Sequence, residues 1–224
     1  TPAGFEIIDG RFVPIDWLAV VFNPSFPYRF AHKLLASALT ASFLIAGLCA
    51  WQLIKGSATA GTHKAMRTAL VTAALVIPVQ FVAGDLHGLN TLEHQPAKVA
   101  AMEGIWDTQK GAPLTLFGIP DEKAGETHYA IKIPKLASLI LAHDLDAEIQ
   151  GINDFKGAHP PVAPVFWSFR VMVGTGTLMM AVAWFAAWQL WRQRKQMADG
   201  KIHLPKPLLY VLAGMTFSGW VATL

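Results

Sequence analysis

The chain has little charge and almost no cysteine. Only 15% of its 224 residues are charged, where a soluble domain carries about 25%. Cys49 is the single cysteine, which excludes a disulfide scaffold and a cysteine-built zinc ribbon. Disorder is excluded by the 53% hydrophobic share, because unfolded chains need low hydrophobicity. There is no internal repeat, no low-complexity tract and no basic stripe with interleaved aromatics, so no nucleic-acid partner is expected. The sequence also lacks an initiating Met and a signal peptide. It opens on polar residues and closes at Leu224 inside an apolar run, so it is expected to be an internal piece of a longer protein. What it has in plenty is apolar and aromatic residues, with eight Trp and thirteen Phe. An all-α integral membrane protein is the fold class this composition predicts.

A membrane-crossing helix needs about 20 mostly apolar residues. Four segments are expected to span: residues 30–54, 68–84 with Pro78 inside, 162–191 interrupted by Arg170, and 207–224, which is cut short by the end of the chain. Pro78 is acceptable if a neighbouring helix satisfies the carbonyl it frees. The connection 55–67 carries Lys55, Lys64 and Arg67 and no acid. The connection 192–206 carries Arg192, Arg194, Lys195, Lys201 and Lys206 against Asp199. Basic residues in short loops mark the cytoplasmic side. Residues 1–29 and the long loop 85–161 are then extracytoplasmic, and the net charge of +3 is an orientation signal. Trp51, Trp184, Trp188 and Trp191 at one end and Trp17, Tyr28, Phe166 and Trp167 at the other read as interfacial belts.

The long loop exceeds ordinary connection lengths, and such loops are usually functional. Residues 93–107 read as a short helix with Pro96 near its start. Residues 131–152 read as a second, amphipathic helix with Leu136, Leu139, Ile140 and Leu145 on its apolar side, able to lie on the membrane surface or on the bundle. Between them, residues 110–130 are Gly- and Pro-rich and read as turns.

Most of the eight histidines have no ligand spacing. His63 and His203 fall in basic loops, and His128, His143 and His159 are scattered through the long loop. His87 and His94 are seven apart, which is not a recognised ligand box. His32 differs, because an ionisable group at the end of a span is a functional candidate by default. Arg170 lies within the outer half of the third span, where an unpaired charge costs about 2.5–3.5 kcal/mol at the centre, so an anion is expected against it. Met172 taken alone is ordinary core filler. By topology, His32 and Met172 share a depth, and a His–Met pair is an axial ligand set for a low-spin haem iron whose propionates suit Arg170. Lys98 and Glu103 are five apart, about 140° round a helix. They form either a solvated face or a polar pair that holds and deprotonates a small redox molecule above the bilayer.

Three strings carry a family resemblance: FPYRFAHKLLAS, GDLHGLNTLEHQPAKVAAMEGIWDTQ and PPVAPVFWSFRVMVGTG. In order and spacing they resemble the central and C-terminal part of subunit I of cytochrome bd-type quinol oxidases. The resemblance implies that His32 and Met172 ligate the low-spin b haem and that Arg170 stands beside it. It implies that Asp85 opens the quinol loop and that Lys98 and Glu103 are its quinol-associated pair. A high-spin haem b and a haem d are implied for the full subunit. So are a second oxidase subunit, a small single-helix subunit, contact with lipid, and the bacterial cytoplasmic membrane. The family's first four helices and its GRQPW stretch are missing. The short loop, with LILAHDLDAEIQGINDF, is most similar to the cyanide-insensitive branch.

The function so implied is oxidation of quinol at the outer membrane face, with electrons passing through the low-spin haem towards reduction of oxygen to water. Two other readings stand beside it. One is a transport or structural subunit in which Arg170 binds an anionic substrate. The other is a b-type cytochrome with two His per haem, disfavoured here because the expected spans hold no second His.

Overall fold

The computed structural model describes residues 3–194 and 201–223. Lys195 and Asp199, counted in the orientation argument, lie outside the described residues, as do Thr1, Pro2 and Leu224. The chain divides into two compact units. The span unit holds residues 33–82 and 170–224, and the loop unit holds residues 1–32 and 83–169.

Three helices are long and apolar enough to cross a membrane: α2 (Phe26–Ile54), α3 (Ala60–His94) and α6 (Val162–Gln193). At 1.5 Å per residue, the 35 residues of α3 measure about 52 Å, well beyond a hydrocarbon core of about 30 Å. Within the span unit, one core gathers Phe43 and Ala46 of α2, Leu70 and Ile77 of α3, and Ala183 and Leu190 of α6. Small residues bring the backbones close. A Cβ on Gly47 would strike Thr216, and one on Gly219 would strike Thr40, which is the small-residue packing that lipid-embedded helices use.

The segment expected as a fourth span is broken. It forms α7 (Lys206–Gly214) and, after α1 (Trp17–Val21) and the other helices in chain order, a last turn α8 (Ser218–Val221). The break falls where Gly214 weakens the helix and the Thr216 hydroxyl donates to the Ala213 carbonyl at 2.6 Å. Nine residues of α7 reach only about 14 Å.

Pro78 has no N–H for the carbonyl four residues before it. That carbonyl belongs to Ala74, and the Trp184 indole N–H donates to it at 3.1 Å. Trp184, expected as an interfacial belt residue, therefore completes the hydrogen bonding of α3.

The loop unit is not purely helical, and this corrects the sequence reading. Strands β1 (Phe5–Ile8) and β2 (Arg11–Pro14) form a hairpin around Asp9 and Gly10, both with positive φ. Asp–Gly is the favoured pair for such a turn. Asp16 then caps α1 by accepting from the Leu18 and Ala19 N–H groups. Gln95 leaves the helical region before Pro96, as residues before proline do. Proline then occupies the first turn of α4 (Pro96–Glu103), and α4 closes on Gly104 at φ 67°.

Residues read as turns hold a second antiparallel hairpin, β4 (Leu114–Asp121) and β5 (Glu126–Ile133). Only residues 122–125 turn. The Asp121 carboxylate accepts from the Lys123 and Ala124 N–H groups, which holds its acidity stronger than an ordinary carboxyl's. At the tip, Glu122 accepts from the Val162 N–H and so caps the start of α6. A short pair, β3 (Gln109–Lys110) with β6 (Glu148–Ile149), closes the base.

The expected second helix shrinks to α5 (Leu136–Ala142). It buries Ala137, Ser138 and Leu141, while Leu139 and Ile140 are exposed. The cause is polar: the Ser138 hydroxyl accepts from the Ala112 N–H at 2.7 Å and donates to the Ala147 carbonyl at 2.8 Å.

Candidate functional site

In the loop unit, the outset of α2 presents Arg29 and His32 one helical turn apart. Gly84 of α3 stands against His32: a Cβ there would come within 3.3 Å of Cε1 and 3.6 Å of Nδ1. A side chain at residue 84 would press on the imidazole, and glycine leaves it room. One turn further along α3, the His87 ring lies 5.7 Å from that of His32, centre to centre. The sequence reading set aside two-His ligation for want of a second histidine in the spans. α3 runs on past residue 84 as one helix, and it brings His87 to His32. Arg29 on α2 and Lys98 on α4 are the other basic groups whose charge reaches His87.

Asp85, beside Gly84, is tied to the loop. Its Oδ2 lies 3.3 Å from Nε2 of His143, which ends α5 in the left-handed region at φ 55°. His143, read as scattered, is thus the partner of Asp85.

Lys98 and Glu103 part company on α4. Glu103 is 2% exposed and so does not belong to a solvated face. Lys98 is exposed and lines an open recess of about 610 Å³ with His94, Gln95, Phe155, His159 and Val165, within the size range of small-molecule sites. Glu103 is not among its lining residues.

In the span unit, α6 presents Arg170 and Met172, both half-buried. Gly176 shares the face of Met172, one turn on. A Cβ on Gly174 would meet nothing within 4 Å, and one on Gly176 only Phe81 Cζ at 4.0 Å. That face has room for a flat ligand beside a thioether. Among the described residues, no three His, Cys, Asp or Glu side chains form a metal cluster. An iron site built on a single His and a Met would not register as such a cluster.

Sequence reasoning missed His94 and His159 of the recess and the His143–Asp85 pair. His94 and His159 come from segments 65 residues apart, and no local spacing announces them. For His143, the partner acid is 58 residues away in the chain.

The model of the family described as cytochrome bd terminal oxidase subunit I matches residues 1–224. A cytochrome bd ubiquinol oxidase subunit 1 of Bacillus subtilis is 28% identical over 237 aligned residues, covering 99% of this chain and 50% of that protein. The cytochrome bd-II ubiquinol oxidase subunit 1 of Escherichia coli is 26% identical, over 86% of this chain and 50% of its own length. Among solved structures, the bd oxidase of Geobacillus thermodenitrificans matches with a TM-score of 0.75 at 32% identity, covering 97% of this chain and 52% of its own. The chain spans about half the length of the curated relatives it matches.

Proposed function

Since the chain belongs to the cytochrome bd terminal oxidase subunit I family, we propose that it is the quinol-oxidising, haem-holding part of a respiratory quinol:oxygen oxidoreductase. It is embedded in the bacterial cytoplasmic membrane, with residues 85–161 on the outer face. The observation that carries this reading is the His32–His87 ring pair, with Lys98, which lines the recess, near enough for its charge to reach His87. It joins a recess fit for a small molecule to the imidazole that would ligate a haem.

His32 and Met172 would hold a low-spin b haem, with Arg170 beside its propionates. The residues suit that group: His32 lies against a glycine that makes room for its ring, and Met172 shares an open helix face with Gly176. When bound, the haem supplies a one-electron acceptor, with the Met ligand raising its potential. Lys98 offers an ammonium to a hydroquinone oxygen as it loses its proton. Glu103 or a neighbour takes the proton, and the His143–Asp85 pair fastens the loop to α3. Protons leave on the outer side. A high-spin haem b and a haem d belong to the parts of the subunit outside this chain. Subunit II, a small single-helix subunit and lipid are the proposed neighbours.

The test uses the whole oxidase in membranes. Lys98→Ala and Glu103→Gln lower quinol oxidation about tenfold to a hundredfold, the worth of one charged hydrogen bond of roughly 1.5–3 kcal/mol. Haem spectra and electron entry from an artificial donor that bypasses the loop stay intact. Equal loss with both donors would assign these residues to haem retention or folding instead.

A further inference from the structure

The recess beside Lys98 holds two histidines whose tautomer is set by their neighbours. His94 Nδ1 lies 2.9 Å from the Asn90 carbonyl oxygen, and His159 Nδ1 lies 3.0 Å from the Pro160 carbonyl oxygen. A carbonyl oxygen can only accept, so each Nδ1 carries the hydrogen. The Glu93 carboxylate, 3.8 Å from the same nitrogen of His94, favours a proton there as well. The Asn90 side-chain nitrogen stands further off, at 3.4 Å, and yields to the carbonyl. A neutral imidazole with hydrogen on Nδ1 has a bare lone pair on Nε2. Each ring therefore offers one proton acceptor, and both residues line the recess. Among the described residues lining it, Lys98 is the one permanent charge, and Phe155, Pro160 and Val165 supply apolar wall.

Resting on the quinol-oxidase reading above, we propose that His94 and His159 are the two proton acceptors of hydroquinone oxidation in this recess. Oxidising a hydroquinone to a quinone breaks two O–H bonds and releases two protons and two electrons. One hydroxyl proton goes to Nε2 of His94 and the other to Nε2 of His159. The two electrons would leave one at a time for the oxidised haem that His32 and Met172 would hold, and the quinone would depart. Lys98 stabilises the oxygen that bears negative charge after the first proton has gone. The count matches the chemistry, with two acceptors for two protons and one cation for the transient anion. Glu103 is buried and does not line the recess, so the neighbours that take the protons directly from the hydroquinone are these two histidines. Other charged groups on the surrounding elements are Glu93 at the end of α3, and Asp154 and Lys156 next to Phe155. Asp154 is already engaged by the Thr108 hydroxyl.

The experiment measures quinol oxidation by the whole oxidase across pH 5.5–9, roughly the range in which histidine acts as an acid or base. The variants are His94→Ala, His159→Ala and Lys98→Ala. Each His variant is expected to lower kcat about a hundredfold, the low end of general acid–base effects, with little change in KM. The acidic limb of the rate profile should flatten, and added imidazole should restore part of the rate. Haem spectra and artificial-donor turnover should stay at wild-type levels. If Lys98→Ala leaves quinol oxidation intact, the recess is not the quinol site and the parent reading falls with it. If Lys98→Ala impairs oxidation while both His variants keep wild-type kcat and pH profile, only the proton-acceptor assignment is overturned. Loss in the His variants without imidazole rescue or a changed pH profile would also overturn it, in favour of a packing role.

Discussion

The two units solve the same problem, satisfying buried polar groups, by different means. The span unit relies mainly on helices whose backbone bonds are internal, with side chains helping at Pro78, at the Thr59–Thr62 turn and at Ile202. Its helices then approach through glycine and threonine. The loop unit has short elements with many loose ends, and side chains tie them: Asp16 caps α1, Asp121 closes a turn, Glu122 caps α6 and Ser138 pins α5. A shape held by single side chains can be rebuilt around a ligand one residue at a time, and the loop unit carries the recess. The span unit offers depth and rigidity around Met172, while His32, the other proposed ligand, belongs to the loop unit.

If this division is right, ligation and substrate handling separate by mutation. The largest effect expected is from Met172→Leu, which keeps the volume and removes the sulfur. With His32→Ala, it should abolish or convert the low-spin b absorption of the full oxidase. An unchanged low-spin spectrum in both variants would place the haem elsewhere.

Next in size is a test of how tightly the spans pack. A Cβ on Gly47 would collide with Thr216, whereas one on Gly214 would meet nothing within 4 Å. Gly47→Ala should destabilise by about 1–3 kcal/mol as an overpacked site, lowering thermal stability in detergent. Gly214→Ala should leave stability unchanged or raise it by up to about 1 kcal/mol. Equal melting temperatures would mean the helices are free to slide apart.

The smallest effect belongs to a single tie in the loop unit. Two backbone N–H groups, Ala124's first, hold the Asp121 carboxyl below its ordinary value of 3.8. A depressed folded value means the carboxylate's contribution is present above about pH 3.8 and fades as the pH falls through the folded value. Amide exchange at Lys123 and Ala124 should therefore speed up in acid in the wild type, and at every pH in Asp121→Ala. Protection independent of both pH and the carboxylate would show that the hairpin holds its turn without that tie.

How much of this could be read from the chain follows the same division. Span length and composition announced α2, α3 and α6, and Pro78 announced the need for a foreign donor. The donor itself could not be named, because Trp184 at a helix surface looks like any interfacial tryptophan. In the loop unit, Pro96 and Gly104 marked α4 well. Asp9–Gly10, between FEII and RFVP, was a legible hairpin signal. The strands β4 and β5 were masked by the Gly and Pro residues around them. For α5, leucine and isoleucine suggested one face, but the Ser138 hydroxyl, with two backbone partners, selected the other. Of the candidate residues, His32, Asp85 and Lys98 declared themselves through motif strings. His94, His143 and His159 gain meaning only when the fold brings distant segments together.

The bond between Trp184 and Ala74 also has a history in time. The two residues are 110 positions apart, so at roughly 5–20 residues per second the ribosome needs about 5–20 s to make the second after the first. Through that interval α3 holds a bare carbonyl in its middle, where lipid offers no hydrogen bond. The proline-bearing helix is therefore a receptor for a later stretch of its own chain. Insertion gains an order, with α3 waiting and α6 closing the vacancy. A translation product that stops short of residue 184 keeps a polar mark inside the bilayer by which an unfinished subunit can be told from a finished one.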